Sequence, residues 1–282
     1  QGVYENHAIY FPQDELSSVL LPVTAGCSYN KCVFCSMYKD DVFREIPLWD
    51  IEKELMNGPK YAERVFLTGA DPMSVGYEKM VEILSLIRRY LPYCACVASY
   101  ASIRSVSKYS LAQLTTLHHA GLRQLYIGFE TGRDDVLNLM KKGHSTQEAV
   151  TQAQKLNAAQ LPFNTIIMYG IAGKNEGKAN AVATAEMINQ FRTVRIITMN
   201  LTIFYGTELS HMIERHAFMP SSGRERLDEI RMLLERLSPE HPTIFDTTHP
   251  TNIIKLKGTL PDDKVLLLKE VDRFIAGKTV FI

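Results

Sequence analysis

The chain has 282 residues, and its 31 basic and 31 acidic side chains give a formal net charge of zero. That balance excludes the basic excess of a general nucleic-acid or membrane-surface binder, and no apolar run approaches the roughly 18 residues that span a bilayer. With 46% apolar residues the chain can bury a sizeable core. Its polar first fifteen residues lack the basic start and apolar middle of a signal peptide. Gln1 and Gly2 read as a remnant of proteolytic cleavage. The expectation is a cytoplasmic protein with neither a membrane nor a nucleic-acid polymer as partner.

Apolar strand-like runs then alternate with helical patterns. Val19–Ala25 predicts a first strand, and Asp50–Gly58 a helix with Asp50 as N-cap and Gly58-Pro59 as its stop. Val65–Thr68 is a second strand. Tyr77–Tyr90 repeats apolar residues at helical spacing and ends before Pro92. Ala95–Tyr100 is a third strand, Leu111–Ala120 a helix, Leu125–Phe129 a fourth strand and Thr146–Ala159 a helix. Thr165–Tyr169, Lys178–Phe191 and Val194–Phe204 continue as strand, helix and strand. Strands joined by helical crossovers pair in parallel, and their nearly continuous apolar character suits a sheet covered on both faces. The predicted fold is therefore α/β, an open partial (β/α)6 TIM-like barrel over residues 3–206, with a flat doubly wound sheet as the lesser alternative. Residues 207–282 form a C-terminal helical and loop extension that packs on the barrel and covers the site. In it Arg224–Leu237 is an amphipathic helix, Ser238–Leu260 a long loop and Asp262–Ala276 a last helix.

Three of the five cysteines, Cys27, Cys32 and Cys35, lie within nine residues, spaced C-x4-C-x2-C directly after the first strand. Clustered cysteines in a long chain read as a metal or redox site, not a disulfide framework. Three thiolates can each reach a different iron of a cubane and leave the fourth iron open. A structural zinc site wants four ligands, and no histidine occurs between positions 8 and 117. The same spacing occurs in plant-type [2Fe–2S] ferredoxins, which need a fourth cysteine. Cys94 and Cys96 lie at i and i+2 around the start of the third strand, on one face, and read as small buried apolar residues. Three readings stay open: an enzyme with an open-iron cluster, an iron–sulfur electron carrier, and a zinc-binding protein.

The segment Cys27-Ser28-Tyr29-Asn30-Lys31-Cys32-Val33-Phe34-Cys35 resembles the radical S-adenosylmethionine (SAM) superfamily, whose members carry three cysteines on the loop after the first barrel strand. The usual first gap is three residues, and here it is four. The resemblance implies a [4Fe–4S] cluster on Cys27, Cys32 and Cys35, with Phe34 as the aromatic residue before the third cysteine. It implies SAM contacts from Thr68, Gly69 and Asp71 after the second strand, from Ser99 and Arg104 around the third, and from Glu130 after the fourth. Ile171 falls in a fifth-strand motif that Gly173 and Glu176 also match, with Tyr169 where the family has glycine. Asn200 lies near the end of the sixth strand. Tyr38, Arg44, Tyr100, His249 and Asn252 are expected on the substrate side. The implied chemistry is reductive cleavage of SAM to a 5′-deoxyadenosyl radical, with the electron supplied by a flavodoxin or ferredoxin. The substrate would be a small molecule. Within the superfamily the layout resembles short members acting on a modified nucleoside, queuosine or its 5′-phosphate, in a lyase reaction that frees the base. Lys31, Lys39, Arg44 or Arg104 could then meet a phosphate.

Overall fold

The fold is set by helical crossovers, which let successive strands of the main sheet pair in parallel. The structure is a computed structural model and describes residues 9–278. Its strands are β1 (Val19–Pro22), β2 (Thr24–Ala25), β3 (Arg44–Glu45), β4 (Arg64–Thr68), β5 (Cys96–Ala101), β6 (Leu122–Glu130), β7 (Phe163–Tyr169), β8 (Arg195–Asn200), β9 (Thr243–Asp246) and β10 (Lys257–Leu260). Its α-helices are α1 (Leu48–Met56), α2 (Tyr77–Tyr90), α3 (Ile103–Ser107), α4 (Leu111–His119), α5 (Asp134–Leu139), α6 (Thr146–Ala158), α7 (Gly177–Ile188), α8 (Glu208–Glu214), α9 (Gly223–Arg236) and α10 (Lys264–Lys278). An eight-stranded sheet runs in the order β1-β4-β5-β6-β7-β8-β9-β10, while β2 and β3 form a small antiparallel ribbon.

The six predicted strands and their crossover helices are all present, but Val19–Ala25 divides into β1 and the ribbon strand β2, and the sixth strand ends at Asn200 and not at Phe204. Two further strands occupy the ends of the segment predicted as a long loop, Ser238–Leu260, and correct that expectation: β9 pairs parallel with β8, and β10 returns antiparallel on β9. Four residues each, with Gly258 inside β10, are too short to show a period of two. The helices α3, α5 and α8 are likewise short, five to seven residues, and fall below the length at which a helical period is legible. Helix α1 starts at Leu48, after Pro47 at φ −60°, so Asp50 lies in the first turn and is not the N-cap. There its charge complements the helix dipole.

Packing divides the chain into two units. One runs through Asn30 and includes Ser36–Ile127 and Lys155–Phe163; the other includes Lys31–Cys35, Gly128–Gln154 and the residues from Asn164 onward. In the first unit, α1 packs on β1 and α2, and α2 on α4. Ile51, Leu55, Met80, Ile83, Leu84, Ile87, Leu114 and Leu117 form their buried stripes. The alternate side chains of β4, β5 and β6 bring Phe66, Tyr100 and Tyr126 edge to face, with ring centroids 5.2 to 6.2 Å apart. In the second unit α9 packs between α7 and α10.

Beside the aromatic trio lies a buried ion pair. Glu15, fully buried, receives Arg64 Nε at 2.8 Å and Tyr126 Oη at 2.8 Å, while Arg64 also reaches Gln124 at 2.7 Å. Burial alone would raise the Glu15 carboxyl, but hydrogen bonds from Arg64, Ser18 and Tyr126 outweigh it and hold the group below its ordinary 4.5. A carboxyl with a depressed folded pKa contributes stability at neutral pH that is lost as pH falls from the unfolded value through the folded one. Glu15→Ala removes a buried acceptor of hydrogen bonds from Arg64, Ser18 and Tyr126 while the half-exposed Arg64 stays solvated, so it should cost about 2 kcal/mol in urea denaturation at pH 7. The gap between wild type and variant should narrow below about pH 4. A gap that is small at pH 7, or that does not change with pH, contradicts this role.

Candidate cluster and cofactor site

In parallel α/β sheets functional groups gather where strands end and their loops begin, and that is where the cysteine segment lies. It leaves β1 through β2. Gly26 adopts φ +75°, and a Cβ there would come within 3.1 to 3.2 Å of the Phe43 and Val42 backbone, so the turn requires a residue without one. The Asn30 N–H donates to Cys27 Sγ at 3.3 Å, and Asn30 itself adopts φ +48° while its Nδ2 donates to the Tyr38 carbonyl at 3.0 Å.

The following residues are clamped in the second unit. The Val33 N–H donates to the Met140 carbonyl at 3.0 Å, and its carbonyl accepts from the Leu209 N–H at 3.1 Å. Its side chain, 1% exposed, joins Met140, Met168, Ile171, Leu201 and Leu209 in one apolar cluster, with Phe34 partly buried against it. Two backbone bonds and a buried side chain fix Val33, the first of the two residues between Cys32 and Cys35. All three cysteines are half-buried, and no disulfide is formed among the described residues. No set of three or more Cys, His, Asp or Glu side chains among the described residues gathers tightly enough for a single metal ion. A donor set of three thiols with no nitrogen or carboxylate suits an iron–sulfur cluster.

After β4, Thr68 is buried and its carbonyl accepts from the Val23 N–H at 3.2 Å. Gly69 adopts φ +126°, and a Cβ there would lie 2.0 Å from Thr24 Oγ1 and 2.9 Å from the Thr24 carbonyl oxygen. Asp71 makes no side-chain cap to the short helical turn Pro72–Val75. Its carboxylate instead accepts from Ser102 Oγ at 2.5 Å and Ser105 Oγ at 2.7 Å, fastening the start of α3. Ser99 is fully buried and its hydroxyl donates to the Tyr100 carbonyl at 2.8 Å. Tyr100 stands in the aromatic trio, where burial raises its hydroxyl far above 10. Arg104 lays its guanidinium over the ring of Tyr29, 3.7 Å from the centroid, so the four-residue gap between Cys27 and Cys32 is braced by a cation–π contact. Tyr38 is buried edge-on against Tyr10, and Arg44 is exposed in β3.

In the second unit Glu130 ends β6 at φ +66°, a conformation a non-glycine residue adopts at a cost. Its Oε1 lies 3.4 Å from Lys142 Nζ, and its Oε2 is buried with no hydrogen-bond partner among the described residues. Gly128 leaves the space: a Cβ there would lie 2.6 Å from Glu130 Oε1. Ile171 is fully buried in the cluster around Val33. Asn200 takes its bonds from Thr251, backbone N–H to Oγ1 at 3.0 Å and Nδ2 to the carbonyl at 3.1 Å, and leaves its buried Oδ1 unpartnered among the described residues. Asn252 donates to the carbonyls of Thr198 and Thr247, at 2.6 and 2.9 Å, and so fastens the β9–β10 connection to β8. His249 bonds Thr251 through Nδ1 at 2.8 Å, and burial lowers its pKa.

The sequence did not single out Thr24, Asn180, Arg226 or Glu229. Of these Glu229 carried a signal, since it sits on the same helical stripe as Leu227, Ile230, Leu233 and Leu234, where a charge is out of place.

Comparison with known proteins adds the family. Residues 21–185, more than half of the chain, match the model of the radical SAM superfamily. The haem chaperone HemW of Bacillus subtilis is 22% identical over 186 residues, covering 64% of this chain; the chain spans about half of that relative's length, 48%. Among solved structures, methylornithine synthase (PylB) superposes with a TM-score of 0.57 at 14% identity, over 90% of this chain and 68% of the other. Coproporphyrinogen III oxidase (HemN) from Escherichia coli, described as a radical SAM enzyme, gives 0.58 at 14%, over 77% and 51%. These likenesses fit the predicted partial TIM-like barrel.

The close approach at Gly69 yields a direct test. A methyl group there meets Thr24 side chain and backbone at once, so Gly69→Ala should destabilise the protein by about 3 kcal/mol in a denaturant melt. An unchanged midpoint would mean that the β4 turn does not pass against Thr24.

Proposed function

The chain belongs to the radical SAM superfamily, and on that premise we propose that Cys27, Cys32 and Cys35 hold a [4Fe–4S] cluster at which SAM binds and is cleaved. Members of the superfamily use this cluster together with SAM, act on small substrates and draw an electron from a donor protein. The observation that carries the assignment is the all-thiol segment directly after β1, pinned at Val33 and braced at Tyr29. A cluster held by these three thiolates would supply the one-electron reduction that cleaves SAM.

The residues that the family resemblance assigns to SAM have separable tasks. Thr68 and Gly69 offer backbone groups at the end of β4, and Asp71 orders α3 behind them. Glu130, strained and with one bare buried oxygen, suits a hydroxyl donor such as a ribose. Asn200 Oδ1 suits an amine donor such as the exocyclic nitrogen of adenine. Phe34 and Ile171 give the apolar contact that keeps water away. Ser99, whose hydroxyl is already bonded to the main chain, and Arg104, stacked on Tyr29, act through the loops they steady. Arg44, Tyr38, Tyr100, His249 and Asn252 remain the substrate-side candidates, with Asn252 supporting the loop that carries His249.

For the reaction, the reading favoured by the cysteine segment is a lyase that releases queuine from queuosine or its 5′-phosphate, abstracting a hydrogen from the nucleoside ribose. Flavodoxin or ferredoxin would supply the electron. The similarity to a haem chaperone and to coproporphyrinogen III oxidase suggests tetrapyrroles as a second class, so haem is the contrasting ligand in the assay.

Anaerobically reconstituted protein should yield 5′-deoxyadenosine with dithionite and SAM, and more of it when queuosine or its 5′-phosphate is present, together with free base. Single Cys27, Cys32 or Cys35→Ala variants should lose deoxyadenosine production by at least about 100-fold, because removing a ligand removes the cluster. Cys94→Ala should leave it within about twofold, since burial holds the Cys94 thiol protonated. Deoxyadenosine formation that neither nucleoside alters, with tight haem binding instead, rejects the lyase. Retained activity in a Cys32→Ala variant rejects the cluster assignment.

A further inference from the structure

The turn after β7, residues 170–176, is held by one helix. Glu229 Oε1 accepts from the Gly170 N–H at 2.9 Å, and Glu225 Oε1 from the Asn175 N–H at 3.2 Å. The Met219 carbonyl, in the approach to α9, accepts from the Lys174 N–H at 2.7 Å. Between the two glutamates Arg226 presses on Gly170, where φ is +77° and a Cβ would come 2.7 Å from Nε. Its Nη1 reaches past to the carbonyl of Leu201, just after β8, at 2.8 Å.

Glu229 does more than pack. It is 2% exposed, and its second oxygen accepts from Asn180 Nδ2 at 3.2 Å. Asn180 Oδ1 in turn accepts from Thr131 Oγ1, next to the strained Glu130. Glu130, Tyr169, Asn180, Thr184 and Glu229 also line a cavity of about 10 Å³, room for one water at most. A leucine would fill this place in the helix stripe. A carboxylate in it costs solvation, and what it adds is a two-armed tie between the end of β7 and the end of β6.

We propose that Glu229 is a positioning residue for SAM: through Gly170 and Asn180 it fixes the turn and the Glu130 strand end that receive the adenosyl group. This inference rests on the SAM reading above. The effect depends on charge. Burial pushes the Glu229 carboxyl up to about 7, against the Gly170 and Asn180 hydrogen bonds and the Arg226 charge. The other ionisable groups facing it are Glu225 on its own helix, Tyr169 from β7 and Glu130 from β6; α7 presents the neutral Asn180 and Thr184. Protonation turns one accepting oxygen into a hydroxyl donor that opposes Asn180 Nδ2, so the tie slackens as pH falls through 7.

Glu229→Gln imitates the protonated state, keeping the size and one acceptor but placing an amide donor opposite Asn180. The SAM dissociation constant of the reconstituted variant should rise about tenfold, while iron content and melting temperature stay near wild type. Wild-type affinity should weaken from pH 8 to pH 6, and that of Glu229→Gln should not. In cluster-free protein, amide exchange of residues 170–176 should be about tenfold faster in the variant. Asn180→Ala breaks the same tie from the other side and should reproduce the SAM and exchange effects; it decides the matter if Glu229→Gln does not fold. SAM bound equally tightly by wild type and variants overturns this inference alone. A cluster-loaded wild type that ignores SAM overturns the functional reading as well, and unchanged exchange at 170–176 overturns the tie itself.

Discussion

A strand buried on both faces has to find partners for the polar backbone where the sheet stops, and the organisation of this protein follows from how those partners are supplied. After β1 the chain is secured at Val33 by carbonyl and amide partners from Met140 and Leu209. After β4 the Asp71 carboxylate is taken up by the two serines that open α3. After β7 it is a glutamate on α9 that receives the Gly170 amide, and after β8 it is Thr251 that receives Asn200. Each loop is therefore shaped by a side chain or backbone group distant in sequence.

Some buried side-chain atoms stand outside that pairing, and in native proteins such atoms call for an explanation. Glu130 Oε2 and Asn200 Oδ1 in one unit, and Thr24 Oγ1 in the other, are buried without hydrogen-bond partners among the described residues. Each lies at or beside a strand end. Glu130 is also held at positive φ, a strain that persists where surrounding contacts over-determine it. An adenosyl group with hydroxyl and amino donors is the kind of ligand that Glu130 and Asn200, both in the second unit, lack.

Much of this was legible in the chain. The alternation of apolar runs with helical patterns gave the parallel α/β plan, because period and length are properties of single segments. The cysteine spacing marked the candidate donor set for the same reason. What stayed hidden depends on partners far apart in sequence. Nothing local says that Asp71 serves Ser102, that Arg104 stacks on Tyr29, or that Asn252 fastens β8. The strands β9 and β10 are four residues each and gain their order from pairing, so Ser238–Leu260 read as a loop. Glu229 was visible as a charge in an apolar stripe, but its purpose became clear only with Gly170 and Asn180 beside it.

The central claim is that three cysteines leave one iron of a cubane open for SAM. The most direct measurement is electron–nuclear double resonance on the reduced protein with SAM labelled at its amino nitrogen and carboxylate oxygen. The account predicts hyperfine coupling from both labels to the cluster. A reduced cluster whose spectrum is unchanged by SAM and shows neither coupling, or a centre that contains zinc and no iron, would contradict it.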